Sequence, residues 1–371
     1  MASTSSRSAY YESTQAHKQL NETAKNKAES EGVKFYRTES ASHSTRNDGA
    51  RFDYDSISTF SSVASAAMQD YYNQLGMQTS FNAYSYYGHT PLTAAMFSVK
   101  YEFTDNTPSL PTNMTEIGSQ TYSTGNNAAS TVHLYEYNNT LPLGFMVNMS
   151  TEANWNKETG NPFTTQNSFV KTAIDSDANI FHQLQTTDTV GTFTAKYQLE
   201  EDDNYKPSGD AATYDVYFYC VTSSETLTVN ITNGSITDDN STTKTFSSTN
   251  QNYICHVGNV SAGSTITVTA SDGQALTTCY AYAFDNDAWE TAYKLLNKNP
   301  YTVESYSDTK ITGKVTAKKQ GIMYTSIPYD KGWNVYVDGV KSKTTSICSG
   351  ALTGVLVEAG THEITFKYTP K

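Results

Sequence analysis

The sequence predicts an α+β chain: an N-terminal α/β layer domain over residues 1–187, then two antiparallel β-sandwich, jelly-roll-like domains over 188–285 and 286–371. Three observations predict it. Helix-period apolar patterns are concentrated before residue 187, where they alternate with short strand patterns. After it, period-two stretches are separated by Gly, Asn, Asp and Ser, the pattern of sandwich strands, with one short helical connector over 287–297. Asp338-Gly339 then supplies a strong short hairpin signal, because both positions of its tight turn tolerate positive φ.

In order, residues 8–30 read as a polar helix with a thin apolar stripe at Ala16, Leu20, Ala24 and Ala28. A strand follows over 33–38. Residues 58–75 carry a strong helix pattern, with Phe60, Val63, Ala64, Ala67, Met68, Tyr71, Tyr72 and Leu75 on one face. Ser58 is its expected cap and Gly76 its left-handed end. Thr90-Pro91 and Asn161-Pro162 each open a further helix, since proline suits the first helical turn. Strands are expected over 99–103, 132–137 and 141–147. The first sandwich is expected to use 192–199, 215–221, 226–232, 253–257, 265–270 and 279–284. The second uses 303–305, 311–317, 322–327, 333–337, 352–357 and 362–368. In 333–337 the alternation of Trp333, Val335 and Val337 makes Trp333 the expected core anchor.

Composition narrows the function classes. A net charge of −12 argues against nucleic acid as a partner, because phosphate backbones need a basic face. Residues 286–371 run against the trend at +3, through lysines such as Lys310, Lys314, Lys318 and Lys319, so the rest sums to −15. No run of about 18 apolar residues occurs, so no helical span is expected, and no signal peptide is legible behind Met1. The 28 tyrosines among only 17% charged residues suit a β-rich extracellular surface and polar ligands such as sugars. Cys220, Cys255, Cys279 and Cys348 have no metal-ligand spacing; an oxidising exterior permits bridges, sequence cannot pair them, and buried free thiols are the expected state.

Candidate site residues fall in two stretches. Tyr84, Tyr86, Tyr87 and His89 combine aromatic faces for stacking on sugars with a histidine able to move a proton. Tyr329, Asp330, Trp333 and Asp338 combine an aromatic face with carboxylates for hydroxyls; the alternative is one buried Trp and two turn aspartates. The acidic run 200–203 offers hard oxygen ligands but lacks an EF-hand spacing, and a solvated loop is the plainer reading. No GxSxG, HExxH, P-loop or dinucleotide fingerprint occurs, so no catalytic residue, metal or cofactor is expected.

The stretch PYDKGWNVYVDG, followed by AGTHEITFKYTP, resembles the end of the extracytoplasmic region of the YfhO family. So do FYRTE at 35–39, SYYGHTPL at 85–92, VKYEF at 99–103, LPLGF at 141–145 and YICHVGNVSAGSTITVT at 253–269, which occur in the same order. These are large bacterial polytopic membrane proteins related to GT-C glycosyltransferases. The resemblance implies the outer part of a protein at the cell membrane, which transfers sugar from a lipid-linked donor to a cell-surface polymer of teichoic acid type. The partners it implies are that glycan or teichoic acid and the remainder of the chain's own membrane domain. Both ends of such a loop return to one bilayer surface. The catalytic acid of GT-C enzymes lies in a loop between membrane helices with no counterpart here, so none is carried over. The alternatives are a stand-alone carbohydrate-binding module and a structural surface module.

Overall fold

The computed structural model describes residues 7–105, 113–125, 128–158, 160–187, 194–199, 205 and 213–370. Helix Arg7–Ser30 lies on a four-stranded sheet ordered Arg37–Ser40, Val99–Asp105, Ala128–Tyr137, Met114–Gly125. The first pair is parallel and the others antiparallel. The thin stripe Ala16, Leu20, Ala24 and Ala28 packs on Tyr101, Phe103, Val132 and Leu134. Small residues on the helix let it sit close, and the large ones come from the sheet.

The pattern over 58–75 resolves differently from the expectation. The helix is Ala66–Leu75, and its cap is Ser65, whose side chain accepts from the Met68 amide. Thr59–Phe60 is instead a short strand paired with Ala83–Tyr84. Phe60 and Val63 are exposed rather than buried. Ser58 is unavailable as a cap because its hydroxyl oxygen accepts the Tyr86 amide at 2.9 Å while its amide and hydroxyl proton go to the Glu39 carboxylate. The caps at Gly76, Thr90 and Asn161 form as the residue types dictate.

The first sandwich packs sheet Cys255–Ser261, Thr213–Thr222, Leu276–Phe284, Phe181–Gln183 against sheet Gln185–Thr186, Thr194–Gln198, Thr265–Ala270, Thr226–Thr232, Thr243–Ser247. Its core is mainly aliphatic, with Val216, Val229, Val257, Ile266 and Val268 fully buried beside Tyr197, Tyr214 and Phe218. Cys220 and Cys279 are direct cross-strand partners and form a disulfide; Cys255 and Cys348 are free and buried. The expectation of four free thiols is therefore corrected for one pair. Spacing alone hides it, because the two cysteines become neighbours only when their strands pair.

The second sandwich packs sheet Thr302–Ser307, Lys310–Ala317, Gly360–Tyr368, Trp333–Val337, Val340–Ser342 against sheet Thr345–Ile347, Leu352–Val357, Gly321–Pro328, Gly144–Val147. Its last strand comes from far upstream and pairs antiparallel with Gly321–Pro328. Val335 is fully buried, whereas Trp333 is only partly buried and packs edge-on against Phe366 and Tyr368. Trp333 thus closes the end of this core instead of anchoring its centre. The hairpin at Asp338-Gly339 forms, with φ of 51° and 77°. A separate central core gathers helices Ala66–Leu75, Pro91–Met96, Pro162–Ile174 and Asn286–Leu296 with Tyr217 and Phe284 of the first sandwich and Tyr324 and Leu352 of the second. The α/β layer and both sandwiches share this apolar centre.

Candidate functional site

The site begins at a backbone constraint. Gly88 has φ +86°, and a Cβ there would lie 2.3 Å from the Gly76 carbonyl. Only glycine lets the chain turn so closely. The same carbonyl accepts the Ile254 amide at 2.8 Å, which docks the first sandwich beside His89. The His89 amide donates to the Tyr86 carbonyl at 3.1 Å, and Thr90-Pro91 then starts the next helix.

The His89 ring stacks on Tyr86, with centroids 3.8 Å apart and planes 8° apart. Its Nδ1 donates to the Tyr86 carbonyl at 3.2 Å, and its Nε2 lies 3.3 Å from Glu102 Oε2. That oxygen also accepts the Tyr86 hydroxyl at 2.8 Å and the Tyr137 hydroxyl at 2.9 Å. Burial, together with the neighbouring His256, pushes the His89 pKa down to about 3. Burial pushes the Glu102 carboxyl up to about 7 despite its tyrosine hydrogen bonds. With Nδ1 spent on a carbonyl, a neutral His89 offers its Nε2 lone pair to Glu102, and the shared proton sits on the carboxyl.

The first sandwich supplies the facing wall. His256 Nε2 lies 2.6 Å from Asp215 Oδ1, and its ring stacks on Tyr217 at 4.4 Å. The buried Tyr217 hydroxyl and Asp215 Oδ2 complete no hydrogen bond of good geometry. They lie close enough for the carboxylate to add to the burial that raises the phenol's pKa well above 10. Lys244 donates to the Val257 carbonyl at 3.0 Å, and burial lowers its pKa. Between the walls lies a cleft of about 390 Å³, lined by Tyr87, His89, Glu102, Tyr217, Lys244, Tyr253 and His256 among others. Aromatic faces, imidazoles, a carboxyl and an ammonium converge there, the composition of a polar-ligand site.

Behind Tyr87 lies a closed polar cluster. Ser58 Oγ is 3.3 Å from His43 Nε2, and His43 Nε2 is 3.1 Å from Glu39 Oε2. These are the residue types of a nucleophile triad, but the order is wrong for one. Ser58 donates directly to Glu39 at 3.1 Å and accepts the Tyr86 amide at 2.9 Å. Burial pushes the Glu39 carboxyl up, yet bonds from His43, Ser56 and Ile57 outweigh it and hold the pKa below the usual value. The cluster holds the Tyr86 turn in place.

Tyr86, Tyr87 and His89 therefore meet at one site. Tyr84 does not join them, since its ring packs on Tyr72 at 4.8 Å. Tyr329, Asp330, Trp333 and Asp338 do not form one platform. Asp330 accepts the Gly332 amide at 2.6 Å, and Asp338 accepts the Glu363 amide at 2.9 Å and lies 2.8 Å from His362 Nδ1. The two aspartates sit at opposite ends of strand Trp333–Val337, separated by roughly 17 Å. Tyr329 is half-buried, its amide bonded to the Ala351 carbonyl. Lys318 and Lys319 line a hollow of about 440 Å³ with Lys298, while Lys314 pairs with Glu304 at 2.7 Å and Lys310 lies opposite Lys367. The acidic run 200–203 lies outside the described residues. Among the described residues no group of three His, Cys, Asp or Glu is arranged to hold a metal ion. Sequence reasoning missed Glu102, Tyr137, Asp215, Tyr217, Lys244 and His256. The one available signal was an acidic residue set between large apolar neighbours in a strand, Glu102 between Tyr101 and Phe103 and Asp215 in YDVYFY.

The fold and site define a layered α+β chain with two sandwiches and a polar interdomain cleft. No helix among the described residues is long and apolar enough to cross a membrane. The chain belongs to the family of the bacterial membrane protein YfhO, whose family model matches residues 1–371. No curated protein matches it. Among solved structures, a quercetin 2,3-dioxygenase from Acinetobacter baumannii is similar at 10% identity over 51% of this chain and 78% of that one, with a TM-score of 0.12. A cupin 2 conserved barrel domain protein from Leptotrichia buccalis is similar at 12% identity over 53% and 91%, also with a TM-score of 0.12. Superpositions at that score do not amount to a shared fold.

Proposed function

We propose that this chain is the extracytoplasmic part of a polytopic membrane protein that transfers sugar from a lipid-linked donor to a teichoic-acid-type polymer. In this reading the chain binds and positions the acceptor in the interdomain cleft. The observation that carries it is the cleft itself. Tyr87 and Tyr253 offer ring faces to a polyol, and Glu102, Lys244 and His256 line the same walls with polar groups for its hydroxyls. Lys244 adds a donor for phosphate oxygens. The Cys220–Cys279 bridge fits an oxidising compartment outside the cytoplasm. Bracing of the membrane part alone, or a purely structural surface module, would leave the cleft without a ligand.

Calorimetric titration with glycerol-phosphate oligomers tests this. The expected result is saturable binding that weakens at least about tenfold in His256→Ala and in Lys244→Ala, each tenfold being 1.4 kcal/mol. Absence of binding, or binding unchanged in both variants, refutes acceptor positioning by the cleft. Protease accessibility of the chain in intact spheroplasts, against an inverted-vesicle control, tests the side of the membrane.

A further inference from the structure

A second hollow, of about 830 Å³, lies on another side of the molecule, where helix Arg7–Ser30 and the turn after Asp48–Phe52 face strand Thr302–Ser307 of the second sandwich. It has more than twice the volume of the interdomain cleft and falls within the roughly 300–1,000 Å³ of small-ligand sites. Tertiary structure alone builds it, since Asn21 and Tyr306 are remote in sequence.

Four aromatic rings contribute walls: Phe35, Tyr36, Tyr54 and Tyr306. Phe35 and Tyr306 pack edge-to-face at 4.9 Å, and the Tyr306 hydroxyl donates to Asp55 Oδ2 at 3.3 Å, which sets the ring's orientation. Tyr306 is nevertheless 41% exposed, so its ring is open to a ligand.

Two polar atoms on residues that line the hollow are buried without partners. Asn21 is 1% exposed; its amide nitrogen donates to the Asp53 carbonyl, but Oδ1 has no hydrogen-bond partner. The buried Tyr54 hydroxyl has none either. A buried acceptor left alone is costly, so an incoming hydroxyl that donates to Asn21 Oδ1 is favoured.

Charge selects the ligand class. Asp53, Asp55 and Asp308 face the hollow against Lys25 and Lys34. Lys25 is already held by Glu22 at 2.9 Å and Asp53 at 3.0 Å. The excess of carboxylates disfavours a phosphate polymer and favours an uncharged or amino-bearing ligand. Rings for C–H faces, carboxylates for hydroxyls and an unpartnered amide oxygen together suit a saccharide.

We propose that this hollow is a second saccharide site, separate from the interdomain cleft, that takes an uncharged or amino-bearing oligosaccharide. It stands independently of the sugar-transfer reading. The test titrates the 371-residue chain with triacetylchitotriose and with maltotriose, following heat and tyrosine ring resonances. Binding of at least one trisaccharide is expected, shifting Tyr36, Tyr54 or Tyr306 resonances. It should weaken at least tenfold in Tyr306→Ala and be unchanged in Val340→Ala, a hairpin control. An excess of glycerol-phosphate oligomer should not displace it. Asp308→Asn serves as a second variant should Tyr306→Ala fail a circular-dichroism check of folding. Lack of binding by both trisaccharides, binding that moves no resonance of the three tyrosines, or displacement by the anionic oligomer overturns the proposal. Failure of glycerol-phosphate binding alone refutes the cleft reading and leaves this one standing.

Discussion

The first sandwich meets the α/β layer across a cleft walled by polar side chains, while the second is sewn to it through backbone. On the first side, His89 and Glu102 face Tyr217, His256 and Lys244 across open space. On the second, strand Gly144–Val147 completes the sandwich's own sheet. Arg37 adds a polar clasp there: Nη1 donates to the Phe97 carbonyl and to Ser326 Oγ, both at 2.7 Å, and Nη2 to the Ser326 carbonyl at 3.1 Å. The difference is one of construction: open polar walls at the first joint, a shared strand and an arginine clasp at the second.

The largest expected effect lies within the first sandwich. Removing the bridge with Cys220→Ser and Cys279→Ser should cost about 4 kcal/mol, given the long loop it closes. Denaturant unfolding should show that loss in the first sandwich and spare the second; thiol titration of the denatured parent should find two free thiols before reduction and four after. Next, Arg37→Met should cost about 3 kcal/mol, because it leaves the Phe97 and Ser326 acceptors buried without their donor. If unfolding of Arg37→Met matched the parent, the second joint would rest on strand pairing alone. Trp333→Ala should cost about 2 kcal/mol, less than a fully buried Trp, because its ring only caps the core. A larger loss than Trp289→Ala would restore it as the anchor.

The smallest effect is a pH dependence at the cleft. Glu102 rises from 4.5 to about 7 on folding, and His89 falls from 6.5 to about 3. The raised acid stabilises the fold below pH 4.5 and loses that contribution as pH rises through 7. The lowered base stabilises it above pH 6.5 and loses that contribution as pH falls toward 3. Between about pH 4.5 and 6.5 the folded chain holds its proton on Glu102 and the unfolded chain on His89, so the two dependences cancel. Glu102→Gln removes one of them. Its stability should then fall by up to about 1.4 kcal/mol per pH unit on acidification below 6.5, relative to the parent. Parallel curves for parent and variant would mean that His89 is charged when folded.

Much of the fold follows from local rules that neighbouring residues alone satisfy. Asn161-Pro162 starts a helix and Asp175 ends it in a left-handed turn; Asp338-Gly339 makes the hairpin; the stripe from Ala16 to Ala28 faces a sheet. Each depends on a period or a cap, which a sequence carries within a few residues. The pattern over 58–75 misled because spacing records periodicity but not competition, and Glu39 and Tyr86 take Ser58 before a helix can use it. The site was legible only as Tyr86, Tyr87 and His89. Its other half, the disulfide partners and both hollows depend on contacts between residues up to hundreds of positions apart. Sequence alone therefore determined the helices, strands and turns whose caps and periods no distant residue contests. Tertiary structure alone decided which polar groups are buried and with what partners, because burial and pairing are properties of what packs against a residue, not of what precedes or follows it.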